Sequence, residues 1–244
     1  MSSQSVEFVP LDARARWIKG LLLVTLALAV VGIASGLLQV ELLSRAAHGG
    51  ITDAEMAAND SRQQLIGQLQ LLVLLASALA FLIWFHRAHK NLPALGGREL
   101  KYSPRWAVGG FFVPFLNLVR PVQVMREVWH GSDPAGTERD ASPAGPGIRN
   151  QLGTPPLVNL WWGILILSSL VGNAIFRMGV TENPTLDQLQ MMSALLVLSD
   201  VIDIPSALVA FSLITRITNW QTERQKRMLW PGAPVPGPQP IPVG

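Results

Sequence analysis

The chain has 244 residues, 49% of them apolar and only 14% charged, against about 25% charged in ordinary soluble domains. It contains no cysteine and four histidines, which excludes disulfides, thiolate metal centres and a cysteine nucleophile and argues against a histidine-rich metal cage. The net charge of +3 is modest, so its distribution along the chain carries more information than its size.

Residues 1–19 read as a cytoplasmic N-terminus with Arg14, Arg16 and Lys19 near its end. An uncharged apolar stretch follows at 20–40, matching the roughly 20 helical residues that cross a bilayer core. It is longer than the h-region of a signal peptide, about 7–15 residues, and the sequence after it (ELLSRAAHGG) is a poor cleavage site, so an uncleaved signal anchor is expected. Within it, Gly32 and Gly36 form GxxxG, with Ala29 one turn earlier. Such small-residue faces let helices approach closely, either inside one chain or between two copies. The second span is expected at 65–85, where Ala76 and Ala80 form another small pair.

The most distinctive stretch runs from Trp84 to Trp129, WFHRAHKNLPALGGRELKYSPRWAVGGFFVPFLNLVRPVQVMREVW, and makes 86–130 a loop between spans. Arg87 and Lys90 fall at a helix C-terminus, where cations complement the dipole and reach head groups. Asn91 and Pro93 end that helix and Gly96-Gly97 turns the chain. Trp106 to Leu118 is apolar but too short for an ordinary crossing, and Gly109, Gly110 and Pro114 interrupt it. It reads as a re-entrant or interfacial segment, or a half-buried turn packed on the helices. After Pro121, a favourable first helical residue, Val122, Met125, Val128 and Trp129 recur at helical spacing, as in a short amphipathic helix on the cytoplasmic surface. His86 and His89 have a spacing that can bind a metal, but no third ligand is in sight and the cations around them would repel one. They read as part of an interfacial basic cluster.

These residues resemble the bacterial membrane family known as domain of unknown function 4328. The resemblance rests on RA-x-x-NL (Arg87, Ala88, Asn91, Leu92) with Leu95-Gly96, on SP-x-WAVG (Ser103, Pro104, Trp106 to Gly109), on FVP-x-x-NL-x-RP (Phe112 to Pro114, Asn117, Leu118, Arg120, Pro121) and on the closing MREVW. A weaker echo is Arg216 to Thr218 with Gln221. Together with the flanking spans it extends over roughly Trp17 to Arg227. Gly110 departs from the pattern, which carries an aromatic residue there. The resemblance implies a multi-pass bacterial membrane protein, expected in the cytoplasmic (inner) membrane, and it implies no activity, so no catalytic or ligand residue is carried over.

Residues 131–154, rich in Gly, Pro, Asp and Ala, are expected to be flexible. The third span is expected at 157–176 and the fourth at 189–214, although the fourth contains Asp200 and Asp203. Each charge near the bilayer centre costs about 2.5–3.5 kcal/mol on insertion scales. Three apart, the two carboxylates point to one side of the helix, and Pro205 leaves the Val201 carbonyl without its helical donor. Two readings stay open. The aspartates bond Gln70, Ser168 or Asn173, or pair with an arginine such as Arg87; or they hold a proton or a cation. The four spans make one membrane domain, 20–227, followed by a proline-rich, extended tail at 228–244.

Orientation follows from the cations. Sixteen of the 19 lysines and arginines lie before the first span, between the second and third, and after the fourth, which puts both termini and the central loop in the cytoplasm. The expected fold is therefore an all-α membrane protein of four transmembrane helices. HExxH, GxSxG and phosphate-loop motifs are missing from the sequence, and no enzyme activity, cofactor or metal is expected. The leading functional reading is an envelope scaffold or lipid-interacting protein. Arg87, Lys90, Arg98, Lys101 and Arg105 would lie over anionic head groups, with Trp106 and Trp129 in the interface. The alternative is a small transporter or channel built on Asp200, Asp203 and Pro205. Nucleic acid is a poor partner, because the basic residues sit against the membrane and lack a groove-reading element. Self-association through Gly32 and Gly36 is the remaining candidate partnership.

Overall fold

The computed structural model describes residues 7–97, 100–135, 153–181 and 184–230. Arg98, most of the 131–154 segment and the tail from 231 lie outside the described residues. Four long helices dominate: α1 (Asp12–Ala46), α2 (Asp53–Lys90), α5 (Pro156–Gly179) and α6 (Leu186–Leu229). Between α2 and α5 come a one-turn helix, α3 (Trp106–Gly109), and a longer one, α4 (Arg120–Ser132), with 3-10 turns at Pro93–Leu95 and Leu116–Leu118. No strand occurs among the described residues. Each of the four long helices is long and apolar enough to cross a membrane.

Each expected span lies inside one long helix, but the helices run well past the apolar stretches. At 1.5 Å per residue, the 44 residues of α6 extend about 66 Å, twice the roughly 30 Å of a hydrocarbon core. Helix α1 begins at Asp12 rather than at residue 20. Leu11, Ala15 and Ile18 recur at helical spacing and are buried, so the segment expected as an N-terminal tail is helical because one face has something to pack on.

Start signals fix the helix ends. Thr52 and Glu55 form a reciprocal capping box at the start of α2, and Thr185 with Gln188 does the same for α6; each box satisfies two backbone donors that a helix end leaves open. Proline stands in the first turn of α4 and of α5, where its missing N–H is no loss.

Helix α1 packs against α2 and α6, and α6 also against α5. The chain alternates direction, so the start of α1, the end of α2, the start of α5 and the end of α6 share one end of the bundle. This is the motif end, and most of the core lies there. Its members include Ile18, Trp84, Phe85, Met125, Val128, Trp161, Leu213, Ile214 and Ile217.

Candidate functional site

Two groups of residues stand out: a buried polar network that fastens the motif loop to the motif end, and a polar contact inside the helix bundle.

The network is built on Asn91 and Gln221, both fully buried. Asn91 Nδ2 donates to Val9 O (2.8 Å) and to Gln221 Oε1 (3.0 Å), and its Oδ1 accepts from Val9 N (3.2 Å). Gln221 Nε2 donates to Ala88 O (2.8 Å) and Ser132 Oγ (3.0 Å). Two side chains thus tie together the N-terminal segment, α2, α4 and α6. One turn along α6, the buried Arg224 donates from Nε to Leu95 O (2.8 Å) and from Nη1 to Asp133 O (2.9 Å). Its guanidinium fork matches the carbonyls left open where the chain turns after α2 and after α4. Trp84 Nε1 donates to Thr218 Oγ1 (3.2 Å) in the core below. The network is dense because a buried polar group without a partner costs about 1–3 kcal/mol.

The histidines have separate partners. His86 Nδ1 donates to Pro104 O (2.9 Å). His89, fully buried, donates from Nε2 to Glu127 Oε2 (2.8 Å), since a carboxylate can only accept. Glu127 Oε1 also accepts from Lys101 N (2.6 Å), which draws the loop before α3 onto α4.

The residues expected to meet lipid divide into two sets. Lys90, Lys101 and Arg105 are exposed and form a rim around the motif loop. Arg87 is half-buried and donates to Glu7 O (2.8 Å). Trp106 is half-buried beneath the Arg120 guanidinium, 5.5 Å from its ring centroid. Trp129, expected at the interface, is buried instead. It meets the Trp220 ring edge-on at 4.8 Å, with Arg216 over both rings. The reason is that the apolar face of α4 packs on protein: Val124, Met125 and Val128 are fully buried with it. Gly110, the departure from the family pattern, sits in a close turn where a Cβ would come within 2.9 Å of Trp106 O and 3.0 Å of Arg120 Cβ.

The segment between α3 and α4 behaves differently. Phe111 packs inward, its ring 6.2 Å from Phe81 and 6.4 Å from Phe85, whereas Phe112 is 70% exposed and Phe115 85%. Leu118 and Val119 are exposed as well. Phe115 has a φ of 63°, a conformation uncommon for a residue that carries a Cβ.

In the bundle, Asp200 is buried and its Oδ1 accepts from Gln70 Nε2 (2.6 Å). Gln70 is one of the partners the sequence offered; among the described residues no side chain of Arg87, Ser168 or Asn173 bonds either aspartate. The other carboxylate oxygen of Asp200 lies against Gly32, where an added Cβ would overlap it and would come within 2.7 Å of Gln70 Nε2. One turn on, Val197 fills the space over Gly36. The GxxxG face is thus covered by α6 of the same chain. Asp203 and Pro205 follow on α6 without interrupting it, Asp203 half-buried and Pro205 exposed. Toward the opposite end the polar contacts continue, with Arg62 Nε donating to Ser35 Oγ (2.9 Å) and Arg62 Nη2 to Asn59 Oδ1 (2.7 Å).

These features define a multi-pass, all-helical membrane protein with a folded cap at one end of the bundle. The family model described as Domain of unknown function (DUF4328) matches residues 47–219, more than two-thirds of the chain, and the protein belongs to that family. The match is narrower than the Trp17 to Arg227 range suggested by the motifs: it leaves out α1, and it stops before Gln221 and Arg224. No curated protein and no solved structure matches the chain.

Proposed function

We propose that the protein lies in the cytoplasmic membrane of a bacterium with both termini and the cap on the cytoplasmic side, and that it works without catalysis as a scaffold whose cap rests on anionic head groups. The observation that carries this reading is the division of labour within the motif loop. His89, Asn91 and Glu127 are consumed in holding the cap together, while Lys90, Lys101 and Arg105 are left exposed around it. A rigid basic rim at the end of a bundle is suited to contact with head groups, each cation near an anionic surface contributing about 1 kcal/mol. Changing these three residues to glutamine should lower the amount of anionic phospholipid that co-purifies with the protein, with unfolding unchanged. Equal lipid retention would leave the cations only a role in orientation.

A second reading is favoured by the placement of Asp200 between α1, α2 and α6. An intramembrane carboxylate facing the bundle interior is a default candidate for proton or cation handling. Asparagine at both Asp200 and Asp203 separates the two readings. A variant that assembles normally but loses an ion-dependent phenotype supports transport, and one that fails to assemble assigns the pair to structure.

A further inference from the structure

We propose that residues 112–119 form an apolar wedge set among the acyl chains of the leaflet on the motif side, with phospholipid as its covering partner and Arg120 at the phosphate level. The inference deepens the lipid-contact reading above and rests on it only for the choice of lipid over protein.

Depth carries the argument. The inner side of the wedge is fixed to two spans at similar levels. Phe111 lies against Phe81 and Phe85, the last turn of the apolar stretch of α2. Trp162 Nε1 donates to Leu118 O (3.2 Å), and Trp162 stands in the second turn of α5. At 1.5 Å per residue, Phe81 is about 6 Å inside the end of its apolar stretch, and Trp162 is about 9 Å from the start of its helix. Both values fall within the depth of about 5–10 Å to which interfacial segments insert. At that level a neighbouring surface that is not protein is lipid. Phe112 and Phe115 are more open than Leu72 and Leu170 on the outside of the spans, and Leu118 and Val119 match Leu38 and Val31 there, so the wedge continues the lipid-facing surface of the bundle. Phe115, the most exposed residue of the wedge, is the centre of a tight turn in which Leu116 N donates to Pro114 O (2.8 Å), and that turn accounts for its positive φ.

Charge fits the same partner. The Arg120 guanidinium lies over the rings of Tyr102 (5.0 Å) and Trp106 (5.5 Å). Among the described residues its hydrogen-bond acceptor is Gln123 Oε1 at a long 3.4 Å. Held by two rings at the root of the wedge, it retains donors for a phosphate just above the acyl chains.

The absence of cysteine makes the test direct. Single nitroxide labels at Phe112→Cys, Phe115→Cys, Lys101→Cys and Arg105→Cys would be read in the full chain reconstituted in phosphatidylcholine vesicles. Collisions with oxygen report acyl surroundings, and collisions with a water-soluble nickel chelate report water. Labels at 112 and 115 should favour oxygen over nickel severalfold, and labels at 101 and 105 should show the reverse. Nickel reaching position 115 as freely as position 101 would overturn the proposal. So would exclusion of both relaxants from position 115, which would mean that protein, such as a second copy, covers the wedge. The unaltered protein gives a second measurement: a phospholipid with a photoreactive acyl chain should cross-link within 112–119, and cross-linking confined to the spans would also overturn it. Phosphatidylcholine carries no net charge, so the depth profile is independent of anionic preference. Unchanged anionic-lipid retention in the rim variants sinks the head-group reading and leaves the wedge standing.

Discussion

Gly32 is the point where α1 has least room. A methyl group there would press on the Asp200 carboxylate and the Gln70 amide together, and one on Gly36 would press on Val197. Overpacking a filled interface costs about 1–3 kcal/mol, so Gly32→Ala and Gly36→Ala should each lower the unfolding temperature in detergent. Gly163, exposed within α5 with open space around it, is the control. Alanine there should be neutral or stabilising by up to about 1 kcal/mol, the usual difference between the two residues inside a helix. The cap offers a second residue-scale test. Gln221→Ala would leave Ala88 O, Ser132 Oγ and the Asn91 amide short of partners. It should cost about 1–3 kcal/mol and raise hydrogen exchange through 88–92 and α4 while α5 is unaffected. Equal exchange in the two proteins would mean that Gln221 fills space rather than fastening the cap. The GxxxG spacing was readable because it is local. Gln221 surfaced only as a weak motif echo and Arg224 not at all, because their partners lie 89 to 133 residues away along the chain, and burial of such groups has no sequence period.

At the scale of elements, the apolar stretches located all four spans, but the helix ends were set by chemistry outside them. Thr52-x-x-Glu55 and Thr185-x-x-Gln188 are capping-box patterns visible in the sequence, and they extend α2 and α6 outward from residues 65 and 189. Glu55 lies outside the apolar stretch and does more than cap. It accepts from Thr52 N (2.9 Å) and from Arg45 Nη1 (3.1 Å), closing the turn between α1 and α2. The backbone hydrogen bond from Thr52, followed by those from Arg45 and the Thr52 hydroxyl, holds its carboxyl below the ordinary range. A carboxylate with a depressed folded pKa stabilises the fold above its unfolded pKa, and that contribution is lost as pH falls through the folded value. Exchange of the 47–56 amides, corrected for intrinsic rates, should therefore rise as pH drops below the usual carboxylate range. Glu55→Gln should remove that dependence. A glutamine variant that still responds would place the titrating group elsewhere. The motif loop was the least legible element. Its helical spacing from Val122 to Trp129 was correct, but period alone cannot tell a helix that packs on lipid from one that packs on protein, and α4 buries that face against the bundle.

For the whole molecule, the strongest constraint is the match between charge and geometry. The structure gathers the start of α1, the cap and the end of α6 at one end, and 13 of the 16 lysines and arginines among the described residues lie there. The opposite end holds Arg45, Arg62 and Arg177. Arg45 is bonded to Glu55 and Arg62 to Ser35 and Asn59, so two of these three already have partners within the chain. The cations of short flanking segments set orientation, and the motif end should therefore face the cytoplasm. Because the chain has no cysteine, His48→Cys, Ser103→Cys and Trp230→Cys, all at exposed positions, can be labelled one at a time with a membrane-impermeant maleimide. His48→Cys should react in intact cells, and the other two only after permeabilisation. Reaction of Ser103→Cys alone in intact cells would invert the cap. Reaction of Trp230→Cys with Ser103→Cys protected would mean that 106–129 crosses the bilayer, giving five spans. The geometry opposes that outcome. A crossing would pull Phe111 away from Phe81 and Phe85, Leu118 away from Trp162, and Ser132 away from Gln221, opening the aromatic core and the buried network together.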